Sequence, residues 1–248
     1  MGIGLHFRPL KGMTLVAVPA FCVLIALGVW QVERLHWKVN LIATIHERIG
    51  LPPVPVETLE KPGVEDSDIA YRPVVAAGRF DHASTRYLFV GSGPGGVPGY
   101  HVLTALMRAA GPAILVDRGF VPQSLRDPSA RPGSEPDGLV TVQGIARLSE
   151  QARGFVPKGE TAGKVWFSRD LDGLGAVMGT PLARFFIEAG PDPNPGGWPL
   201  GGQTRVELRN AHLGYAITWF SLAITLAVIY LLYHRKAGRL NLSIKSDS

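Results

Sequence analysis

Seven histidines and a single cysteine are the residues of this 248-residue chain best suited to hold a metal or move a proton, and their spacing sorts them. Cys22 stands alone inside an uncharged run, so it offers no intrachain disulfide and no paired-thiolate site for zinc or copper. It reads as a small buried hydrophobe. His36 and His46 lie ten residues apart in a helical pattern, too far for one metal ion. His82 follows Asp81 in an expected turn and His101 begins an expected strand; each reads as a solvated or hydrogen-bonded surface histidine. Neither a nucleophile elbow nor a paired-His metalloprotease motif appears, so the residues give no reason to expect an enzyme. Gly91, Gly93 and Gly96 satisfy a dinucleotide fingerprint, with Asp117 standing 21 residues after the last of them. That fingerprint works only where the glycines open a helix onto a pyrophosphate. Pro94 and Pro98 interrupt the segment and a strand follows, so it reads as a glycine-rich loop.

His212 is placed differently. It sits in Arg209-Asn210-Ala211-His212-Leu213-Gly214-Tyr215, at the mouth of a long apolar run. Imidazole is a good axial ligand for haem iron, and an interfacial position offers an apolar slot to a porphyrin, with Arg209 near for its propionates. The same position suits a polar residue capping or anchoring a helix, helped by Tyr215 and Trp219 as interfacial aromatics. Residue types alone leave both readings open.

The elements that position His212 are two uncharged apolar runs, residues 14–32 and 213–233. Each matches the ~20 residues a helix needs to cross a hydrocarbon core of ~30 Å. The formal net charge of +5 equals the contribution of Arg8, Lys11, Arg235, Lys236, Arg239 and Lys245 set against Asp247. All the basic excess therefore lies in two short flanks, which is the pattern of a hairpin with both termini inside. The neutral segment between them argues against nucleic acid as a partner. The first run is too long for a signal-peptide core and lacks a cleavage motif, so it is expected to be retained. Val32, Leu35, Val39, Ile42, Ile45 and Ile49 recur at helical spacing beyond it, which predicts one long helix ending near Gly50 and the Pro52-Pro53 pair. Pro19 is expected to kink the span without ending it.

Between the runs, short β-type segments at residues 71–80, 86–90, 101–107, 113–117, 139–145, 165–168 and 184–188 alternate with Gly- and Pro-rich turns, and residues 171–178 read as a short helix. The expected fold is two transmembrane helices, a hairpin, flanking a β-rich α+β extracytoplasmic domain built as a small barrel or sandwich. The expected order is a cytoplasmic tail (1–13), first span (14–32), amphipathic extension (33–49), linker (50–70), β-rich domain (71–212), second span (213–233) and basic cytoplasmic tail (234–248).

Five blocks, in order, resemble the surfeit locus protein 1 family. They are Gly28 through Leu35 (GVWQVERL), Tyr71-Arg72-Pro73 with Gly78-Arg79-Phe80, Val116-Asp117-Arg118-Gly119-Phe120-Val121-Pro122, Trp166 with Arg169-Asp170-Leu171, and Asn210 through Phe220 (NAHLGYAITWF). The resemblance implies a non-enzymatic factor that assembles haem–copper cytochrome c oxidase. Bacterial members are thought to bind haem a and assist its insertion into the catalytic subunit. That subunit, the lipid bilayer and the haem a synthesis machinery are the implied partners. A bacterial inner membrane, with the central domain periplasmic, is the implied location. A scaffold that stabilises an assembly intermediate without touching haem is the alternative. His212 corresponds to the family's proposed haem contact, the axial iron ligand, and Ala211 departs from an asparagine-like position before it. Around it, Trp30 reads as an interface anchor or a ring beside the porphyrin. Asn210 is expected to orient the imidazole, and Tyr215 to line the site. Arg118 is expected to form an ion pair inside the domain or, with Arg209, to meet propionates. Gly119 is expected to supply a backbone conformation that a Cβ would oppose, and Gly28 to permit close approach of the two spans.

Overall fold

The computed structural model describes residues 2–151, 164–204 and 210–245. The chain divides into two compact units, Met1–Ala43 with Glu207–Ser248, and Thr44–Val206.

The first unit is a helical hairpin. Helix α1 (Lys11–Ile49) runs unbroken through the apolar segment and its amphipathic extension, with Pro19 inside it. The partner helix, residues His212–Lys236, is named α4 below because two short helices intervene in the chain. Both helices are long and apolar enough to cross a membrane. They run antiparallel. Thr14 and Tyr230 share a hydroxyl hydrogen bond of 2.6 Å, the Leu10 amide donates to His234 Nε2 at 3.1 Å, and Gly28 lies against Phe220. A Cβ on Gly28 would stand 2.6 Å from the Phe220 ring, so the missing side chain sets how closely the helices meet there. The tails are not plain basic flanks. Strand β1 (Gly2–Phe7) pairs antiparallel with Leu240–Lys245, the last strand of the chain, from Gly2↔Lys245 to Phe7↔Leu240. Gly238, at φ +66°, turns the chain out of α4 toward that pairing, a conformation that suits glycine.

The second unit is the β-rich domain. Its elements are β2 (Val54–Pro55), α2 (Asp66–Ile69), β3 (Pro73–Val90), β4 (Gly99–Met107), β5 (Ile114–Pro122), β6 (Val140–Leu148), β7 (Val165–Trp166), α3 (Leu171–Met178) and β8 (Phe185–Ala189). Strands β3, β4, β5, β8 and β6 are hydrogen-bonded in that order, and β6 pairs back onto β3 from Pro73↔Ile145 to Gly78↔Val140. The result is a closed five-stranded barrel, which resolves the barrel-or-sandwich expectation. The two strands expected at 71–80 and 86–90 are one, with an irregularity in register between Asp81 and Arg86. His82 accordingly lies within a strand and not in a turn, with Nε2 3.0 Å from the Pro136 carbonyl. The break lets one strand bend and pair with β6 through its first half and β4 through its second.

Alternation along the strands sends residues to two sides. Ile114, Val116, Phe185 and Ile187 join the main core with Val74, Ala76 and Leu106. Leu115 and Phe186 face the other way, onto Trp166, Leu171 and Leu174 of β7 and α3. The segment 50–70 is more than a linker: Val56 and Ile69 are fully enclosed and, with Leu59, belong to the main core. The run 91–96 forms a loop with a tight turn at Pro94–Gly96 and leads into β4, with no helix for a pyrophosphate.

Candidate functional site

His212 is the first residue of α4, and its half-buried side chain is held from the facing helix. Its Nδ1–H donates to Oε1 of Gln31 at 2.7 Å, and Gln31 is only 9% exposed. With Nδ1 engaged as a donor, the lone pair of the neutral ring lies on Nε2, which has no hydrogen-bond partner among the described residues. That is the form of imidazole that ligates a metal. Gln31 sits in the block Gly28 through Leu35, and helical phase is what turns it toward α4.

Asn210 does something other than expected. Its Oδ1 accepts the backbone N–H of His212 at 3.4 Å, so it supports the helix start, while Gln31 orients the imidazole. Trp30 is 50% exposed and Tyr215 57% exposed, both free to face an apolar surrounding. Arg209 lies outside the described residues.

Arg118 is in the barrel unit, 1% exposed, with its guanidinium 4.6 Å over the Phe80 ring. Among the described residues it forms no ion pair. Its Nη2 donates to the Ser134 carbonyl at 2.6 Å and to Asn194 Oδ1 at 3.4 Å. Burial and the like charge of Arg131 push it down to about 10, against a pull upward from Glu135. Asp117, its neighbour, faces the opposite way as a strand requires. The close packing at Gly119 is as expected: φ is +115°, and an added Cβ would stand 1.9 Å from the Leu200 carbonyl oxygen.

Asp117 anchors a polar cluster that residue spacing does not reveal. His101 is not a surface imidazole; its Nδ1 lies 2.8 and 2.9 Å from the two Asp117 oxygens and must donate to them. Arg169 grips the same carboxylate through Nε at 3.0 Å and Nη2 at 2.6 Å. Arg147 bridges Glu150 and Glu188 at 3.0 Å each, and Arg169 reaches Glu150 at 3.2 Å. Burial alone would raise the Asp117 carboxyl, but the charges and hydrogen bonds of His101 and Arg169 hold it far below the usual carboxylate range. Burial alone would lower Arg169, and Asp117, Glu188 and Glu150 raise it instead. His101, Arg147, Arg169, Glu150 and Glu188 line a cleft of about 500 Å³ with Phe89 and Phe167. One signal in the sequence could have pointed here: Asp117 and Arg118 interrupt the apolar run of β5, and each must find partners if it is buried.

The SURF1 family profile matches residues 18–224. Surfeit locus protein 1 of the rat is 35% identical over 218 residues, covering 82% of this chain and 70% of that protein. The chicken protein of the same name is 35% identical over 240 residues, 91% of this chain and 74% of the relative. The human one is 35% identical over 233 residues, 88% and 75% respectively. The matched span reaches from α1 through the barrel domain to α4, and so takes in both Gln31 and His212. The chain belongs to the SURF1 family.

Proposed function

We propose that this protein is a membrane-anchored, non-enzymatic assembly factor for haem–copper cytochrome c oxidase that holds haem a through His212 and passes it to the catalytic subunit. Family membership supports the assembly role. The observation that carries the haem reading is the Gln31–His212 hydrogen bond, because it leaves Nε2 as the open ligand atom. The donor set fits an axial haem ligand: one oriented imidazole at a helix end, with the exposed Trp30 and Tyr215 on the same hairpin. Haem bound there would supply the iron, and the chain would supply the imidazole, its orientation and an apolar surrounding. Arg118 lies in the barrel unit, where its Nη2 donates to Ser134 and Asn194, so the haem reading rests on His212 and Gln31.

The proposed setting is the bacterial inner membrane, with both termini cytoplasmic and the barrel periplasmic. Leu15, Val16 and Ile224 are 77%, 71% and 64% exposed, as lipid-facing residues would be. The pairing of β1 with the last strand supports termini on one side.

Purification from native membranes, with absorption spectroscopy and identification of co-purifying subunits, tests the reading. A haem spectrum that is lost or strongly shifted in folded His212→Ala is the expected result. A colourless preparation that still carries oxidase subunits would replace haem transfer with scaffolding. An unchanged spectrum in the variant would return His212 to a helix-capping role.

A further inference from the structure

Arg118 and Arg131 form an enclosed pair of like charges. They are 1% and 2% exposed, and both bond the same residue: Arg118 Nη2 donates to the Ser134 carbonyl at 2.6 Å, and Arg131 Nη1 to Ser134 Oγ at 2.9 Å. No carboxylate lies within ion-pair distance of either among the described residues. Nε of Arg118, and Nε and Nη2 of Arg131, are enclosed with no acceptor among the described residues. Buried polar nitrogens are seldom left this way, and buried charges are normally paired. Loop anchoring through Ser134 accounts for one nitrogen on each guanidinium and leaves the rest unexplained.

Arg118 also forms part of the wall of a cavity of about 300 Å³. Phe80, Val116, Val140 and Val142 give this cavity an apolar body, and Thr141 and Gln143 add hydrogen-bonding groups. Glu135 and the lining residue Asp192 are exposed, so solvent screens their charge more than that of the enclosed pair.

We propose that this cavity binds a small organic monocarboxylate, its oxygens on the Arg118 guanidinium and its carbon body against Phe80 and the valines, with Arg131 adding positive potential from behind. A planar guanidinium matches a carboxylate through paired N–H groups. The apolar walls suit a singly charged anion with a hydrocarbon body and disfavour the heavily hydrated phosphate dianion. The proposal is independent of haem binding at His212.

The test uses the full-length protein in detergent. Thermal unfolding is followed with butyrate, phosphate and chloride at matched ionic strength, and saturation-transfer NMR reads contact between butyrate and the protein. Butyrate should raise Tm saturably and receive saturation transfer, while chloride and phosphate do neither. Arg118→Met should abolish both responses and, by removing an unpaired buried charge, hold or raise Tm without ligand. Should that variant fail to fold, Arg131→Met is the second test, with a weakened butyrate response and a Tm held or raised. Equal stabilisation by chloride, absent saturation transfer to butyrate, or an undiminished response in a folded Arg118→Met or Arg131→Met would overturn the proposal.

Discussion

Gln31 decides which nitrogen His212 can offer. Its Oε1, 2.7 Å from Nδ1, fixes the tautomer and the ring plane together. In Gln31→Leu the imidazole loses that acceptor, and partners of this kind are typically worth about 10–100-fold in metal affinity. Haem titration of the purified variant should show a loss of that order with the helix content unchanged. Gln31→Glu keeps an acceptor and should retain binding; equal affinity in Gln31→Leu would mean the contact does not prepare the ring. Asp117 permits a prediction that needs no ligand. Its folded pKa lies below the unfolded value, so its stabilisation is fully present above about pH 4 and is lost as pH falls toward the folded value. Wild-type stability should therefore fall more steeply in acid than that of Asp117→Asn, as read by denaturant unfolding across pH 2–5. At neutral pH, Asp117→Ala should cost about 3–5 kcal/mol, because it leaves the imidazole of His101 without its acceptor and takes from Arg169 the closest of its carboxylates. The place of His212 at the start of α4 was legible because a polar residue bordering an apolar run stands out. The meeting of His101, Asp117 and Arg169 was not, because register between β4 and β5 brings the first two together and the segment between β7 and α3 brings the third.

The elements themselves were largely legible, since periodicity and turn chemistry are local. Helix α3 occupies the residues expected of it, and α1 continues through its amphipathic extension without a break. What was not legible was the joining of elements. One strand, β3, replaces two, because a register irregularity in a sheet leaves no composition signal distinct from a turn. Segment 50–70 has the Pro- and Glu-rich composition of a linker, yet Val56, Leu59 and Ile69 are enough apolar anchors to fix it in the core. Close approaches are the most sensitive points of this architecture. Gly119→Ala places a Cβ 1.9 Å from a backbone oxygen at a positive φ, and backbone cannot yield as a side chain can. The expected loss exceeds about 2 kcal/mol in unfolding free energy. Gly28→Ala meets the Phe220 ring, which can rotate, so it should cost less, and Phe220→Leu should restore much of the loss. Denaturant titration of Gly119→Ala, Gly28→Ala and the double variant Gly28→Ala/Phe220→Leu checks the order; Gly28→Ala proving costlier than Gly119→Ala would reverse the argument.

The connectivity of the whole chain follows from where the charges lie. The polypeptide leaves the hairpin unit at Ala43 and re-enters it at Glu207, so the barrel is an insertion between two antiparallel helices. The basic residues Arg8, Lys11, Arg235, Lys236 and Arg239 fall at the opposite end of that hairpin, where the tails pair as strands. Moving such a cluster across a bilayer is disfavoured, and lysine and arginine in short flanks set orientation. Pairing of β1 with the last strand adds a mechanical constraint, since a ladder running from Gly2↔Lys245 to Phe7↔Leu240 can form only with both tails on one side. His234 reinforces it, taking a hydrogen bond from the Leu10 amide while its Nδ1 donates to the Tyr230 carbonyl at 2.8 Å. Reporter fusions at Gly133, in the barrel unit, and after the C-terminus should therefore report opposite faces of the membrane. Intact mass of the mature protein should show the first helix retained, because the hairpin contacts of Thr14, Gly28 and Gln31 all require it. Reporters on one face, or a chain shortened by the first helix, would defeat the hairpin and remove Gln31 from His212 at the same stroke.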